Sequence, residues 1–198
     1  LAESWDVSED TLVWTFSLRD GVRFHNGETL TSADVRATFE RLVAPETASP
    51  KASEFAAIER IETPDERTVV FHLSEPLAPL LASMASGWGA ILPESLIDAG
   101  HDFGSEPVGS GPFRFVEWVR DSRVVMEAND EYWMDGHPRV DGVVINIIPE
   151  DAVQIQGLLA GDLHGIDTVG SQYMAMLGAD DNVYVEQDCR IGDGVTLK

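Results

Sequence analysis

The chain has 198 residues, 43% of them hydrophobic and 8% aromatic, enough apolar material for a packed core and too much for wholesale disorder. Lys plus Arg number 13 against 35 Asp plus Glu, a formal net charge of −22, which excludes nucleic acid and anionic membranes as natural partners because phosphates are held by clustered cations. The lone Cys189 excludes an internal disulfide framework and a Cys-rich zinc site, and no apolar run reaches the roughly 18 residues that span a bilayer.

Thr11–Arg19 (TLVWTFSLR) alternates Leu12, Trp14, Phe16 and Leu18 against Val13, Thr15, Ser17 and Arg19, the period of a half-buried strand. Turns follow at Asp20-Gly21 and His25-Asn26-Gly27. Thr31 with Asp34 three residues on marks a helix start. Val35, Phe39 and Leu42 continue it at helical spacing, and Pro45 ends it. A second short helix is predicted over Lys51–Ile58, and a β-hairpin over Ile58–Thr63 and Thr68–Leu73 around Pro64-Asp65-Glu66-Arg67. A short helix runs from Pro76 to Met84, and Ala85–Leu92 (ASGWGAIL) is flexible, then strand-like. Phe113–Val119 and Arg123–Ala128 form another hairpin, and Val140–Ile148 is a β-branched strand. Pro149-Glu150-Asp151 starts a helix that Gly161 ends. Ile166–Val169, Gln172–Leu177 and Val183–Gln187 read as strand, helix and strand. Cys189, in VEQDCRI, reads as a small core residue of a strand. The mixture lacks strict βαβ alternation, so the fold class is α/β, mixed α+β, with mixed sheets. The Gly-, Asp- and Pro-rich stretch 93–107 marks a subdomain boundary. The chain opens at LAESWDVSED with no Met and no basic leader, and stops directly after a strand-like stretch. It therefore reads as a fragment of a longer protein.

Gly109-Ser110-Gly111-Pro112 raises the question of a nucleophile or a phosphate loop. A nucleophile elbow needs G-x-S-x-G between a strand and a helix; a phosphate cradle needs glycines opening a helix, and usually a Lys. Here Pro112 lacks an amide hydrogen and a β-type run follows, so the stretch reads as a turn feeding a strand. His25, His72, His101, His137 and His164 form no metal-ligand spacing. Glu3, Asp6, Glu9, Asp10, Asp180 and Asp181 read as solvated acids. Trp14 and Trp118 fit strand cores, while Trp88, flanked by Gly87 and Gly89, is a candidate ligand platform.

Five stretches in order carry a resemblance: LAESWDVSEDTLVWTFSLRDGVRFHNGETLTSADV, PDERTVVFHLSEP, PVGSGPFRFVEW, the N-x-x-Y-W of Asn129–Trp133, and INIIPEDAVQIQGLLAGDL. Together they resemble the extracytoplasmic solute-binding proteins of peptide and nickel ABC transporters, family 5. The resemblance implies a periplasmic-binding-protein type II-like fold of the peptide-binding cluster, present here without its second lobe. Residues 1–95 would be an extra subdomain of the first lobe and 96–198 part of that lobe up to the hinge. It implies no catalysis and no cofactor or metal. It also implies a di- or oligopeptide ligand, ABC permease subunits in the inner membrane as partners, a monomer, and a periplasmic or lipid-anchored extracytoplasmic location. Ligand-binding positions carried over are Ser86, Gly87 and Trp88 in a cleft-facing loop, Thr168, Val169 and Gly170, and Lys51 in TASPKASEF. Nickel-chelate, sugar or opine binding is the alternative within the family. A hydrolase using Ser110 and His101 is the rival from another class, and a peptide-holding chaperone or sensor subunit is a third. Two departures stand out. Gly161-Asp162-Leu163-His164 replaces the family's Gly-Glu-Val-Asp, and no Arg or His lies between residues 84 and 93 to meet a charged chelate.

Overall fold

The structure, a computed structural model, describes residues 1–188 and 192–197. Cys189 lies outside them, and so does the core role expected for it. Two compact units are present, one made of Leu1–Glu117 with Val125–Val144, the other of Trp118–Val124 with the chain from Ile145 on. The stretch 93–107 lies inside the first unit.

In the first unit, β1 (Ala2–Val7), β2 (Val13–Leu18), β3 (Ile58–Asp65) and β4 (Thr68–Leu73) form an antiparallel sheet in the order β1-β2-β4-β3. The period-two pattern of β2 is realised: Phe16 and Leu18 are buried, as are Val69, Phe71 and Leu73 on β4. β1 is absent from the sequence-based assignment, because its acidic side chains show no apolar alternation. It is an edge strand made by backbone pairing, with Trp5 opposite Phe16 and 51% exposed.

Helix α1 (Ser32–Val43) starts where predicted, with the Thr31 amide donating to the Asp34 carboxylate at 2.7 Å. It buries Val35, Phe39 and Leu42 on the sheet. Phe39 meets Phe71 edge-on at 5.3 Å and Phe55 at 5.3 Å, and Phe71 meets Phe16 at 5.6 Å. Each such pair is worth about 0.5–1.5 kcal/mol beyond area burial. The helix predicted over 51–58 is instead one 3-10 turn, Ala52–Phe55, and Ile58 already begins β3. Docking of the fully buried Phe55 against Phe39 fixes that turn. Helix α2 (Leu80–Met84) is followed by a 3-10 turn at Gly87–Gly89, and no strand forms between 85 and 92. The Ala85 and Ser86 amides donate to carbonyls of α2, and the Leu92 amide donates to Thr38 Oγ1 on α1. Helix α3 (Glu94–Asp98) has only five residues, too few for periodicity to reveal.

Strands β5 (Phe113–Val119), β6 (Arg123–Ala128) and β7 (Gly142–Asn146) make a three-stranded sheet in that order. Trp118, expected in a strand core, is 49% exposed. It shares an outward face with Val116, and its ring carries the Arg120 guanidinium at 5.4 Å.

In the second unit, α4 (Asp151–Ala160), β8 (Gly165–Ile166), α5 (Ser171–Leu177), β9 (Val183–Asp188) and β10 (Gly192–Leu197) surround a core of Ile155, Leu158, Ile166, Val169, Leu177 and Val183. Its sheet runs β8-β10-β9, antiparallel. Gly161, at φ +81°, ends α4 as predicted, and the Asp162 amide closes back on the Gly157 carbonyl at 2.9 Å. No helix among the described residues is long and apolar enough to cross a membrane.

Candidate functional site

The Gly-Ser-Gly stretch is a bend leading into β5. The His25 amide donates to the Gly109 carbonyl at 2.7 Å, and the Gly109 amide donates to His25 Nδ1 at 3.3 Å. His25 Nε2 faces the Gly111 carbonyl at 3.0 Å. An amide only donates and a carbonyl only accepts, so this geometry uses Nδ1 as acceptor and Nε2 as donor. Asn129, 1% exposed, completes the arrangement. Its Nδ2 donates to the same Gly111 carbonyl at 3.0 Å, and its Oδ1 accepts from Arg114 Nη2 at 2.8 Å, Arg114 Nε at 3.0 Å and the Glu131 amide at 3.2 Å. Three of the five quoted sequence stretches therefore meet in one hydrogen-bonded knot. Trp133, from the N-x-x-Y-W stretch, carries the Arg19 guanidinium 4.5 Å above its ring. Both ring nitrogens of His25 are engaged with backbone, so its ring is not free to serve as a base for Ser110. His101, the base expected to pair with Ser110 in a hydrolase, has its Nε2 on the Glu106 carbonyl at 2.8 Å.

The loop 86–92 is positioned differently. Helix α1 holds it from one side: Asp34 Oδ1 accepts the Glu94 amide at 2.8 Å, Arg36 pairs with Glu94 at 3.2 Å, and Thr38 Oγ1 accepts the Leu92 amide at 2.9 Å. Helix α2 holds the other side, where the Ser86 hydroxyl donates to the Ser83 carbonyl at 2.7 Å. Gly89 is required by close approach: a Cβ there would stand 2.2 Å from the Met84 carbonyl oxygen. Between these anchors Gly87 is exposed and Trp88 is 52% exposed.

The same loop borders two cavities. An apolar one of about 440 Å³ lies over Phe16, Phe39 and Phe71 and touches Ala85, Gly89 and Ile91. A smaller one of about 210 Å³ is bordered by Trp88, Ala90, Leu92, Thr38, Arg41 and the 47–50 turn. Lys51 follows that turn directly, and its ammonium is paired with Glu54. Thus Trp88 and the turn that precedes Lys51 share a cavity. Thr168, Val169 and Gly170 belong to the second unit. Thr168 is exposed, Gly170 precedes α5, and the Val169 side chain is buried in the core, which leaves its backbone as its contribution to any site. His164 is exposed.

Arg41 and Thr38 were not singled out by sequence reasoning. Their signal was their i, i+3 spacing on the last turns of α1, one face of the helix. Among the described residues no group of three or more His, Cys, Asp or Glu lies close enough to hold a metal ion.

The chain is thus a mixed α/β fold whose first unit carries two cavities bordered by a loop pinned to two helices. A model of bacterial extracellular solute-binding proteins, family 5, matches residues 1–195, and the chain belongs to that family. It is 35% identical over 211 residues to the Di/tripeptide-binding protein 2 of Pseudomonas aeruginosa, covering 95% of this chain and 40% of that one. Its fold superposes with TM-score 0.88 on the PBP AgaA of A. tumefaciens R10 in complex with agropinic acid, at 34% identity over 93% of this chain and 38% of that one. It superposes with TM-score 0.83 on the ABC transporter-associated periplasmic binding protein DppA of Helicobacter pylori in complex with the peptide STSA, at 30% identity over 94% of this chain and 41% of that one. The chain thus spans about 40% of the length of the relatives it matches.

Proposed function

We propose that this chain is part of the substrate-binding component of an ABC importer that captures di- or oligopeptides outside the cytoplasm and hands them to a membrane permease. On this reading residues 1–95 are an extra subdomain and 96–198 part of the first lobe of a monomeric two-lobed clamp. Ser86–Trp88, Lys51 and Thr168–Gly170 border the cleft, and no catalysis takes place. The observation that carries the proposal is a contrast in the first unit. The Gly-Ser-Gly turn is consumed by internal hydrogen bonds, whereas the pinned loop presents a half-exposed Trp88 beside a cavity. The peptide-binding names of the relatives support it. The neighbour bound to agropinic acid favours a second reading, a small non-peptide ligand.

The test is native mass spectrometry of the full-length protein purified from its own cells, followed by denaturation to release what it carries. Intact peptides of mixed sequence are expected; a single non-peptide mass moves the protein to the second reading.

A further inference from the structure

The chain carries 13 Lys and Arg against a net charge of −22. Arg36, Lys51, Arg60, Arg67 and Arg114 are each paired with a carboxylate. Arg41, on the rim of the smaller cavity, makes no ion pair among the described residues. Its guanidinium lies over the Phe103 ring, 5.7 Å from the centroid, and Phe103 is braced edge-on by His101 at 4.8 Å. A cation on an aromatic face is oriented without being neutralised. The acid between those two rings is committed elsewhere. Asp102 Oδ2 accepts the Ser105 hydroxyl at 2.7 Å, and its Oδ1 accepts the Gly104 amide at 3.0 Å. Glu40 and Glu46 are exposed.

The rest of the cavity completes a recognisable chemistry. The Trp88 ring offers an apolar wall. The Ser49 hydroxyl accepts the Lys51 amide at 3.3 Å and so keeps its own proton to donate. Thr38 is spent on Leu92. A volume of about 210 Å³ suits a carboxylate with a few carbons and not a whole tripeptide. The overall negative charge does not forbid this, since at physiological salt exposed charges are screened beyond about 8 Å.

We propose that this cavity is a carboxylate-binding subsite, in which Arg41 receives the carboxylate of a ligand and Trp88 covers the adjoining carbons. The subsite deepens the peptide-binding reading and rests on it for the identity of the ligand: the carboxylate is a peptide's C-terminus or its acidic side chain.

Sodium acetate, titrated against sodium chloride at constant ionic strength, is the first probe for the 198-residue chain. The readout is the indole N–H resonance of Trp88, identified by its loss in Trp88→Phe. Acetate is expected to move that resonance, acetamide is not, and Arg41→Gln should cut the acetate shift severalfold while Arg41→Lys retains part of it. Equal shifts with acetate and acetamide, or an unchanged acetate response in Arg41→Gln, overturn the subsite. A second arm uses the full-length protein and calorimetry with Ala-Ala-Ala, its C-terminal amide, and Ala-Glu-Ala amide. Loss of about tenfold in affinity on amidation identifies the C-terminus as the group bound, and recovery by the Glu peptide identifies a side-chain carboxylate. Equal binding of all three leaves the peptide reading standing and the subsite refuted. An Arg41-dependent acetate shift with no peptide binding leaves the subsite standing and refutes the peptide reading.

Discussion

The turn at Gly109–Gly111 and the cavity beside Trp88 are both loop features with glycines, an aromatic or imidazole ring and an arginine nearby, yet their polar groups have opposite fates. In the turn, His25, Asn129 and Arg114 spend their hydrogen-bonding capacity on backbone and on one another. At the cavity, the helix residues Asp34, Arg36 and Thr38 are spent on holding the loop, while Arg41 has no ion pair among the described residues and Trp88 is half-exposed. A Gly-Ser-Gly motif looks like chemistry and a helix-end arginine looks like surface charge. Accounting for partners reverses both impressions.

The largest effect expected from breaking this contrast is on the knot. Asn129→Ala removes one of two donors to the Gly111 carbonyl and the buried acceptor shared by Arg114 Nε, Arg114 Nη2 and the Glu131 amide, so it should cost about 2 kcal/mol of stability. Urea unfolding followed by circular dichroism would measure it, and a cost under about 0.5 kcal/mol, the range of ordinary surface changes, would show that the knot is not a structural anchor.

Acidification should have a smaller effect. Asp10 is held below the usual carboxylate range first by the Ser8 hydroxyl, Asp65 first by the Arg67 amide, and Asp102 first by the Ser105 hydroxyl. Groups with depressed folded values bind protons more readily when unfolded. Their stabilisation is fully present above the unfolded value of about 4 and is lost as pH falls through the folded values. The melting temperature should therefore drop below pH 4, less steeply in Asp102→Asn than in the parent sequence. An identical acid limb in both would remove Asp102 from the account.

The smallest effect is expected at the residue that looks most reactive. Ser110→Ala should change stability by less than about 0.5 kcal/mol and leave ligand affinity as it was. A loss of peptide turnover in that variant would instead make the protein a hydrolase.

Much of the first unit was legible because its signals are local. The alternation of Trp14, Phe16 and Leu18 and the Thr31–Asp34 helix start each depend on residues within a few positions. β1 was not legible, since an acidic edge strand is made by pairing with β2 and not by its own pattern. Trp118 was misplaced for the complementary reason: β-propensity identifies a strand but not which face is covered. At the candidate site, glycines around Trp88 pointed to the loop. Arg41 escaped notice because its freedom depends on Asp102 being used by Ser105, a relation between segments about 60 positions apart that no local spacing encodes.

The most direct test is an amide and indole shift map of the 198-residue chain titrated with Ala-Ala-Ala at high concentration. The account predicts weak, saturable changes confined to Thr47–Lys51, Arg41, Ser86–Leu92 and Thr168–Gly170, with the peptide recovered intact. Changes centred on His25 and Gly109–Gly111, with the peptide cleaved, would contradict it.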